Sequence, residues 1–330
     1  MHPRFLEYLC CPKTREPLEL RSFETNAHGM VDRGELVNRQ GESFPIIQGI
    51  PRFVSAELYS NTFGFEWTRW PRLQFDEENV GRRMQGWTTK MWERIAPVET
   101  RNIADRVIVE FGCGPGRFLD VVRRKGGVAV GIDLSNAVVA ARKNFAEDPN
   151  VLIVQGDILR PPFRENAFDG GYSIGVLHHT PDPGAGLQSL VRTVKTGGWV
   201  ACCVYPKDEL YDFKSVKRAR SLHGRLSGRW GYRPALAYSY FSAYGLIPIF
   251  RLGKRMPVMR QFCRWLERNW IVVVDLPDRR WRVLDTFDAI TPHYASTHST
   301  SEVLQWMNRS GCVQVQLAPW CSTAVCGIRG

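Results

Sequence analysis

The chain has 330 residues, of which 44% are hydrophobic and 23% are charged. These proportions are ordinary for a globular protein and exclude a disordered, collagenous or coiled-coil chain. The length predicts two domains, or one large domain with additions. Lys and Arg outnumber Asp and Glu by 44 to 33, which gives a net charge of +11.

The nine cysteines are scattered along the chain, and no Cys-x-x-Cys pair occurs. The N-terminal sequence contains Arg4 and Glu7 shortly before Cys10 and does not have the apolar stretch of a secretory signal. We therefore expect a reduced, cytoplasmic protein without a disulfide framework. A long uncharged stretch, 234–250, contains three tyrosines and two prolines, so it does not predict a membrane-spanning helix.

Residues 1–56 are predicted to form a small α+β domain. A short helix is expected near Phe5 and Leu9, strands are expected at 18–20 and 34–39, and an apolar segment rich in turn residues follows at 44–51. The next segment, 57–104, contains four tryptophans and is expected to be helical or irregular.

Regular alternation begins after residue 105. Five short apolar runs are separated by helical or loop segments, and a final helix at 301–309 precedes two apolar runs that predict an antiparallel hairpin. The five runs are Val107–Phe111, Val128–Ile132, Val151–Val154, Gly170–Ile174 and Trp199–Val204, and the hairpin strands are Val313–Leu317 and Thr323–Ile328. Strands that alternate with helices predict an α/β fold, here a Rossmann-like, mostly parallel seven-stranded sheet that ends in the antiparallel hairpin.

The whole basic excess falls in one segment. Residues 206–282 contain 17 Lys and Arg against 6 Asp and Glu, and the rest of the chain is neutral. We therefore predict that 57–205 and 283–330 form the α/β domain, and that 206–282 is a basic, helical, amphipathic insertion with a functional surface of its own.

A glycine-rich loop lies between the first predicted strand and the first helix, in the sequence Glu110-Phe-Gly-Cys-Gly-Pro-Gly-Arg117. Glycines allow a sharp turn and a close approach of backbone amides to a ligand, and the following helix offers unpaired donors. The dinucleotide fingerprint has the spacing G-x-G-x-x-G, whereas Arg117 stands where its third glycine would be. The spacing favours a nucleoside ligand without a pyrophosphate.

Two further acidic residues follow strands of the same sheet. Asp133 ends the second run and is placed to accept hydrogen bonds from two ribose hydroxyls, because a carboxylate is an acceptor only. Asp157 follows the third run and could accept from an exocyclic amine. Each signal is weak alone, but the ordered set is specific.

The ordered set Glu-x-Gly-x-Gly-x-Gly, Gly-Ile-Asp-Leu-Ser, Gly-Asp-Ile, Gly-Val-Leu-His-His-Thr and Val-Lys-Thr-Gly-Gly resembles the class I S-adenosylmethionine-dependent methyltransferases. The resemblance covers about 100–204 and implies S-adenosylmethionine as the cofactor. It places the methionine end at Glu110 and the glycine loop, the ribose at Asp133 and the adenine edge at Asp157. The expected cofactor-binding residues are Glu110, Gly112, Cys113, Gly114, Gly116, Asp133, Leu134, Asp157, Ile158 and Ser173.

The first segment is similar to the small zinc-ribbon-like domain of the tRNA-methyltransferase activator. The similarity rests on Leu9-Cys10-Cys11-Pro12, Pro17-Leu18, Gly34-Glu35-Leu36 and the segment 44–51. Thr14 and Asn38 stand where that family has cysteines, and a tetrahedral sulfur site needs four ligands. We therefore expect the domain to keep its fold without a metal.

Methyl transfer needs an aligned, dry site, and a general base only if the acceptor is protonated. The candidates are His178 and His179, which follow the fourth run, and Tyr205 after the fifth, with Tyr172 as a further option. An alternative is that one histidine shapes the loop while the other packs. The segment 63–70 is either a lid over the cofactor or a hydrophobic strap. His293, Tyr294 and His298 precede the last helix. For this segment we favour capping of that helix by Ser299 or Thr300 over a catalytic role.

The insertion has three interpretations, which are a solvated helical hairpin, a nucleic-acid surface, and a lid for a membrane-surface or lipid substrate. From Pro257 onward, apolar residues recur at helical spacing with arginines on the other face, which suits a water–lipid interface or a lid over an anionic small molecule. We favour methyl transfer to a small-molecule or lipid-linked acceptor, with peripheral contact with an anionic membrane. The alternatives are a tRNA or other RNA methyltransferase that uses the basic insertion, and a non-catalytic cofactor-binding scaffold. The sequence does not identify a protein partner.

Overall fold

The structure is a computed structural model, and it describes residues 1–54, 61–97, 102–146, 148–292 and 294–330. The side chains of 61–63 lie outside the described part, as does His293, one of the residues considered above. No helix in the described ranges is both long enough and apolar enough to cross a bilayer.

The N-terminal segment forms a four-stranded antiparallel sheet. A short 3-10 helix, Pro3–Tyr8, precedes the strands, which pair in chain order. They are β1 (Glu19–Thr25), β2 (Val31–Val37), β3 (Ser43–Ile47) and β4 (Ile50–Pro51). Asn38 donates from its amide nitrogen to Sγ of Cys11 at 3.5 Å, so it contacts the thiol directly. In the described ranges no group of three or more His, Cys, Asp or Glu side chains is arranged to hold a metal.

The second sheet has seven strands in the order β10-β11-β9-β8-β5-β6-β7. β5 to β9 pair in parallel, and β10 and β11 form the antiparallel edge. The strands are β5 (Val107–Phe111), β6 (Val128–Asp133), β7 (Val151–Gln155), β8 (Phe168–Ile174), β9 (Val194–Cys203), β10 (Cys312–Leu317) and β11 (Ala324–Arg329). This arrangement confirms the predicted fold class. The strand order reverses between β5 and β8, which is where open α/β sheets bind ligands.

Helices cover both faces of this sheet. They are α1 (Asn61–Arg69), α2 (Trp87–Ile95), α3 (Arg117–Arg124), α4 (Ala137–Asn144), α5 (Pro183–Thr193) and α11 (Thr300–Arg309). Separate clusters of buried apolar side chains fill the space on either side of the sheet. α11 begins with a capping box formed by Ser299 and Glu302, which confirms the predicted cap.

The small sheet packs against the β7 edge of the large one. The backbone amide of Phe53 donates to the carbonyl of Gln155 at 2.9 Å, and the guanidinium of Arg52 donates to the side-chain oxygen of Gln155 at 2.5 Å. A strand edge left open would expose unpaired backbone groups, so these bonds protect β7.

The basic segment and the residues that follow it up to Ile290 form a group of helices. They are α6 (Lys214–Trp230), α7 (Arg233–Phe241), α8 (Ile247–Arg255), α9 (Pro257–Asn269) and α10 (Arg279–Ile290), with one π-helical turn at Ser242–Leu246. α9 confirms the predicted helix after Pro257. Its apolar residues do not all point inward, because Cys263 is buried whereas Val258, Phe262 and Trp265 are exposed.

Candidate active site

A cavity of about 490 Å³ opens at the point where the strand order reverses. Its walls come from the loop after β5, the ends of β6 to β9, α1, residues of the basic segment such as Tyr211 and Leu276, and α10, which begins in that segment and ends beyond it. The elements that carried the sequence motifs therefore meet the insertion at one site. The glycine loop and the strand ends form one half of the cavity. Further acidic side chains and aromatic rings line the other half, which we call the acidic half.

The glycine loop has the left-handed backbone that its composition predicts. Gly112, Gly114 and Gly116 have φ values of +80°, +51° and +91°. A Cβ at Gly112 would overlap the side chain of Val176, and one at Gly116 would lie 2.5 Å from the ring of Phe145. The loop is therefore compatible only with glycine at these two positions.

Asp133 holds this loop in place. Its Oδ2 accepts the backbone amide of Gly114 at 2.9 Å, and its Oδ1 accepts the amide and hydroxyl of Ser135 at 2.8 and 2.6 Å. A carboxylate has about four acceptor positions. Since three are taken by the chain itself, one remains for a ribose hydroxyl, whereas the sequence led us to expect two. Burial raises the pKa of Asp133, and its bonds with Ser135 and Gly114 oppose that rise.

Glu110 lies at the base of the cavity and is only 1% exposed. The hydroxyl of Tyr172 donates to its Oε2 at 3.2 Å, so Tyr172 positions Glu110 and has no direct role as a base. Burial raises the pKa of Glu110 well above its usual range, and both the Tyr172 bond and the charge of Arg117 oppose this. A ligand ammonium beside Glu110 would favour its ionised form.

Asp157 contributes the third acidic group of this half. Its Oδ1 accepts the backbone amide of Leu159 at 2.9 Å, which fixes the turn after β7, and the side chain lines the cavity with Ile158. Leu134 and Cys113 line the same wall.

Three of the predicted site residues do not line the cavity. Gly116 shapes the start of α3, and the hydroxyl of Ser173 donates to the carbonyl of Phe111 at 2.9 Å. His178 is fully buried, its Nδ1 accepts the amide of Tyr205 at 3.3 Å, and its ring packs on the Tyr205 ring. We expected His178 to face the acceptor, but its place in the structure is that of a support for Tyr205.

His179 and Tyr205 do line the cavity. Nδ1 of His179 lies 2.7 Å from the carbonyl oxygen of Tyr294, so Nδ1 carries the proton and Nε2 is the acceptor atom of the ring. Burial lowers the pKa of His179, which keeps the ring neutral at neutral pH. The hydroxyl of Tyr205 donates to Oδ2 of Asp288 at 2.7 Å, and burial raises the Tyr205 pKa well above its usual range. Tyr205 is therefore a hydrogen-bond donor, and Asp288 is the acceptor beside it.

The acidic half of the cavity was missed by sequence reasoning. Glu66 on α1 is 1% exposed and lines the cavity, and among the described residues neither of its carboxylate oxygens has a hydrogen-bond partner. Asp285 and Asp288 project from α10, and burial and the neighbouring Asp288 charge raise the pKa of Asp285 to about 7. The Asp-x-x-Asp spacing within an apolar helix is the one signal that could have revealed them.

Aromatic rings complete this half. Tyr211 stacks on Tyr205 with ring centroids 3.5 Å apart, and Trp67 lies over the glycine loop, 3.2 Å from where a Cβ of Gly114 would be. Trp67 thus covers the loop, while Phe65 of the same helix packs on Phe287. Among the described residues that line the cavity, Arg117 is the only Arg or Lys, so the described cations of the insertion do not line it.

Residues 109–202 match the Methyltransferase domain family. This match identifies that part of the chain as a methyltransferase domain, which implies S-adenosylmethionine as the methyl donor. The residues present fit this group, because Gly112 forms a cradle that a Cβ would fill and Glu110 and Asp133 supply buried acceptors beside it.

The chain is similar to proteins with different acceptors in their names. It is 31% identical over 132 residues to a demethylmenaquinone methyltransferase of Desulfitobacterium hafniense, covering 38% of this chain and 52% of that protein. It is 31% identical over 111 residues to a tRNA U34 carboxymethyltransferase of Pseudoalteromonas atlantica, covering 32% and 34%. A solved S-adenosylmethionine-dependent methyltransferase of Thermotoga maritima is 14% identical, with a TM-score of 0.43 and coverage of 82% and 98%. The chain spans about half or less of the length of the curated relatives it matches.

Proposed function

We propose that the protein is an S-adenosylmethionine-dependent methyltransferase that acts on a small-molecule or lipid-linked acceptor. The observation that carries this proposal is the single cavity that joins the glycine loop and Asp133 to Tyr205 and Asp288. When bound, S-adenosylmethionine supplies a methyl group on a sulfonium, ready for in-line displacement by a nucleophile. The chain's own residues then have to orient the acceptor, exclude water and take a proton where one must leave.

Glu110, Asp133 and Asp157 are the groups proposed to hold the donor. Glu110 is an acceptor for an ammonium, Asp133 has one position for a ribose hydroxyl, and Asp157 stands at the end of the next strand. Trp67 covers the loop and keeps water from the reacting atoms.

The acceptor is proposed to carry hydrogen-bond donors or a positive charge at the end that enters the cavity. Glu66, Asp285 and Asp288 are acceptors that line it, and the rings of Tyr205 and Tyr211 offer faces on which a cation can rest. An anionic group would meet these carboxylates with only Arg117 to offset them. We therefore propose a cavity for a neutral or cationic group, instead of the lid over an anionic small molecule that the sequence suggested.

If the acceptor atom carries a proton, Asp288 and Nε2 of His179 are the atoms proposed to take it. Tyr205 holds Asp288 in position through its hydroxyl, and His178 in turn supports Tyr205. The nearby Glu66 carboxyl has its pKa raised well above the usual range by burial and by the charges of Asp288 and Asp285. A cationic acceptor would favour ionisation of Glu66 and Asp285.

The proposed membrane contact is supported by the exposed apolar side chains of α8 and α9. Ile249, Leu252 and Val258 are among them, and arginines flank them on both helices. A lipid-linked acceptor would reach the cavity from such a surface.

The test is incubation of the purified protein with methyl-labelled S-adenosylmethionine and an extract of its source, followed by separation of the products. We expect label in the organic-soluble or small aqueous fraction, and a several-fold lower yield for Glu66→Gln, which removes the ionisable carboxyl group without changing the size of the side chain. Label in a ribonuclease-sensitive precipitate would overturn the small-molecule acceptor in favour of RNA. No label in any fraction, with donor binding intact, would favour the scaffold.

A further inference from the structure

A second pocket lies outside the active site and is lined mainly by arginines. It is an open pocket of about 720 Å³ between the loop 81–83, the helix α8 and the first turn of α10. Seven arginines line it, with Asp278 as the one acidic lining residue. We call it the arginine pocket, and its lining residues fall within 81–83, 248–255 and 277–282.

Most of this positive charge is not compensated within the described ranges. Arg251 pairs with Asp275 at 2.7 Å, and Arg280 pairs with Asp278 at 3.3 Å. The other five arginines of the pocket have no carboxylate within 4.0 Å in the part of the chain that the structure describes. Like charges held this close repel each other, and an anion between them would relieve the repulsion.

Arg282 shows the effect of this crowding. It is 3% exposed, and its Nε donates to the carbonyl of Leu276 at 2.5 Å. Burial lowers the pKa of Arg282, and the charges of Arg251, Arg279 and Arg83 lower it further. Guanidinium groups bind phosphate oxygens through pairs of parallel hydrogen bonds, so a phosphate group matches this set of donors.

Exposed apolar side chains continue directly from the pocket. Leu252 lines it and is 62% exposed, and Ile249, one turn earlier on α8, is 65% exposed. On α9, which packs against α8, Val258 is 87% exposed, and the rings of Phe262 and Trp265 stack at 6.1 Å with about half of each side chain exposed. We call this surface the α8–α9 apolar face, formed by Ile249, Leu252, Met256, Val258, Phe262 and Trp265.

The combination of the two features distinguishes a membrane from a nucleic acid. An RNA backbone would satisfy the arginines, but it would leave aliphatic side chains such as Leu252 and Val258 in water. The interfacial region of a bilayer satisfies both, because headgroup phosphates lie at the level of arginines while apolar side chains enter the acyl boundary. Exposed apolar surface beside concentrated positive charge is thus better explained by lipid.

We propose that the arginine pocket binds the phosphate of an anionic phospholipid headgroup while the α8–α9 apolar face lies in the membrane interface. The inference rests on the membrane contact proposed above and does not depend on methyl transfer. It also explains how an acceptor could reach the enzyme, since α10 contributes Arg279 to the arginine pocket and Asp285 and Asp288 to the active-site cavity.

The test is co-sedimentation of the full chain with phosphatidylcholine vesicles that contain or lack phosphatidylglycerol, at low and high salt. The pocket variant is Arg83→Ala with Arg279→Ala, because neither residue has an ion pair in the described ranges. The matched control is Arg39→Ala with Arg309→Ala, which removes the same charge from exposed positions elsewhere. A third variant, Val258→Ser with Phe262→Ser, tests the apolar face. Circular dichroism and thermal unfolding verify that all three are folded.

We expect the wild-type chain to bind the anionic vesicles at low salt and to be released at high salt. The pocket variant should lower the partition coefficient about thirtyfold, as expected for two arginines near an anionic surface, whereas the control should change it less than threefold. The Val258/Phe262 variant should also weaken binding. Equal losses in the pocket variant and the control would overturn the pocket but leave the membrane contact intact. No binding by the wild-type chain would overturn both, and loss of tRNA binding in the pocket variant alone would then identify a nucleic-acid site.

Discussion

Replacement of Asp133 by Asn keeps the shape of the side chain and removes its charge and half of its acceptor positions. The wild-type carboxylate accepts three hydrogen bonds from the chain, one from Gly114 and two from Ser135. The single oxygen of Asn can keep the two Ser135 bonds, but its amide nitrogen then faces the amide of Gly114, and two donors cannot bond. A buried donor left without a partner costs about 1–3 kcal/mol, so the free energy of unfolding should fall by about 2 kcal/mol.

The effect on donor binding follows from the same count. The fourth acceptor position of Asp133, the one available to a ribose hydroxyl, is lost, and a hydrogen bond to a charged group contributes about 1.5–3 kcal/mol. The affinity for S-adenosylhomocysteine should therefore fall about thirtyfold, since 1.4 kcal/mol corresponds to tenfold.

Isothermal titration with S-adenosylhomocysteine and urea unfolding measure these two quantities separately. Ser135→Ala is the matched control, because it removes one donor to Asp133 and leaves the carboxylate charged. It should cost about 1 kcal/mol of stability and change the affinity less than about threefold. An unchanged dissociation constant for Asp133→Asn would refute the assignment of Asp133 to the donor site.

Two further predictions concern the loop and the acidic half of the cavity. Gly112→Ala should lower stability by about 2–4 kcal/mol and abolish S-adenosylhomocysteine binding, because its Cβ would overlap Val176 and its φ is +80°. Gly41 also has a positive φ, but a Cβ at this position would lie in open space. Urea unfolding of Gly41→Ala should therefore show a loss of only about 1 kcal/mol in the free energy of unfolding. Equal losses in the two glycine variants would contradict the steric argument. The pKa of Asp285 is raised to about 7 from 3.8, so the folded state keeps a proton that the unfolded state has lost, and stability falls as pH rises from about 4 to 7. Asp285→Asn should therefore be more stable than wild type near pH 8, by up to about 4 kcal/mol, and equally stable near pH 4. Urea unfolding at the two pH values measures this difference. Equal stability near pH 8 would show that burial of Asp285 does not disfavour its charged form.

The parallel strands were predictable because each is buried on both faces and reads as an unbroken apolar run. β5 begins and ends at the predicted residues. β9 begins at Val194, five residues earlier than predicted, because its first half contains Lys195 and two glycines that hide the pattern. α6 was not predicted as a separate element, since a sequence so rich in Lys, Arg and Ser shows no continuous apolar stripe.

The donor half of the site was predictable for a related reason. Glu110 lies near the end of β5, Asp133 ends β6 and Asp157 follows β7, and the carboxyl ends of parallel strands meet at one edge of the sheet. Glu66 and Asp288 lie more than 200 residues apart, and only the packing of α1 and α10 brings them to one cavity. The sequence also could not show which of two adjacent side chains faces the cavity. His178 and His179 are neighbours in the chain, but only His179 lines the cavity.

The two sites meet on α10, which carries opposite charges at its two ends. Arg279 in the first turn belongs to the arginine pocket, and Asp288, nine residues later, belongs to the active-site cavity. At about 1.5 Å per residue these positions are separated by about 14 Å along the helix. An acceptor that carries both a phosphate and a hydroxyl or amine would be oriented by this charge difference, because the carboxylates repel its phosphate from the cavity while they attract the other group. The net charge of +11 therefore does not predict the charge of the cavity: the excess lies on the proposed membrane surface, whereas acidic side chains line the cavity proposed for the methyl acceptor.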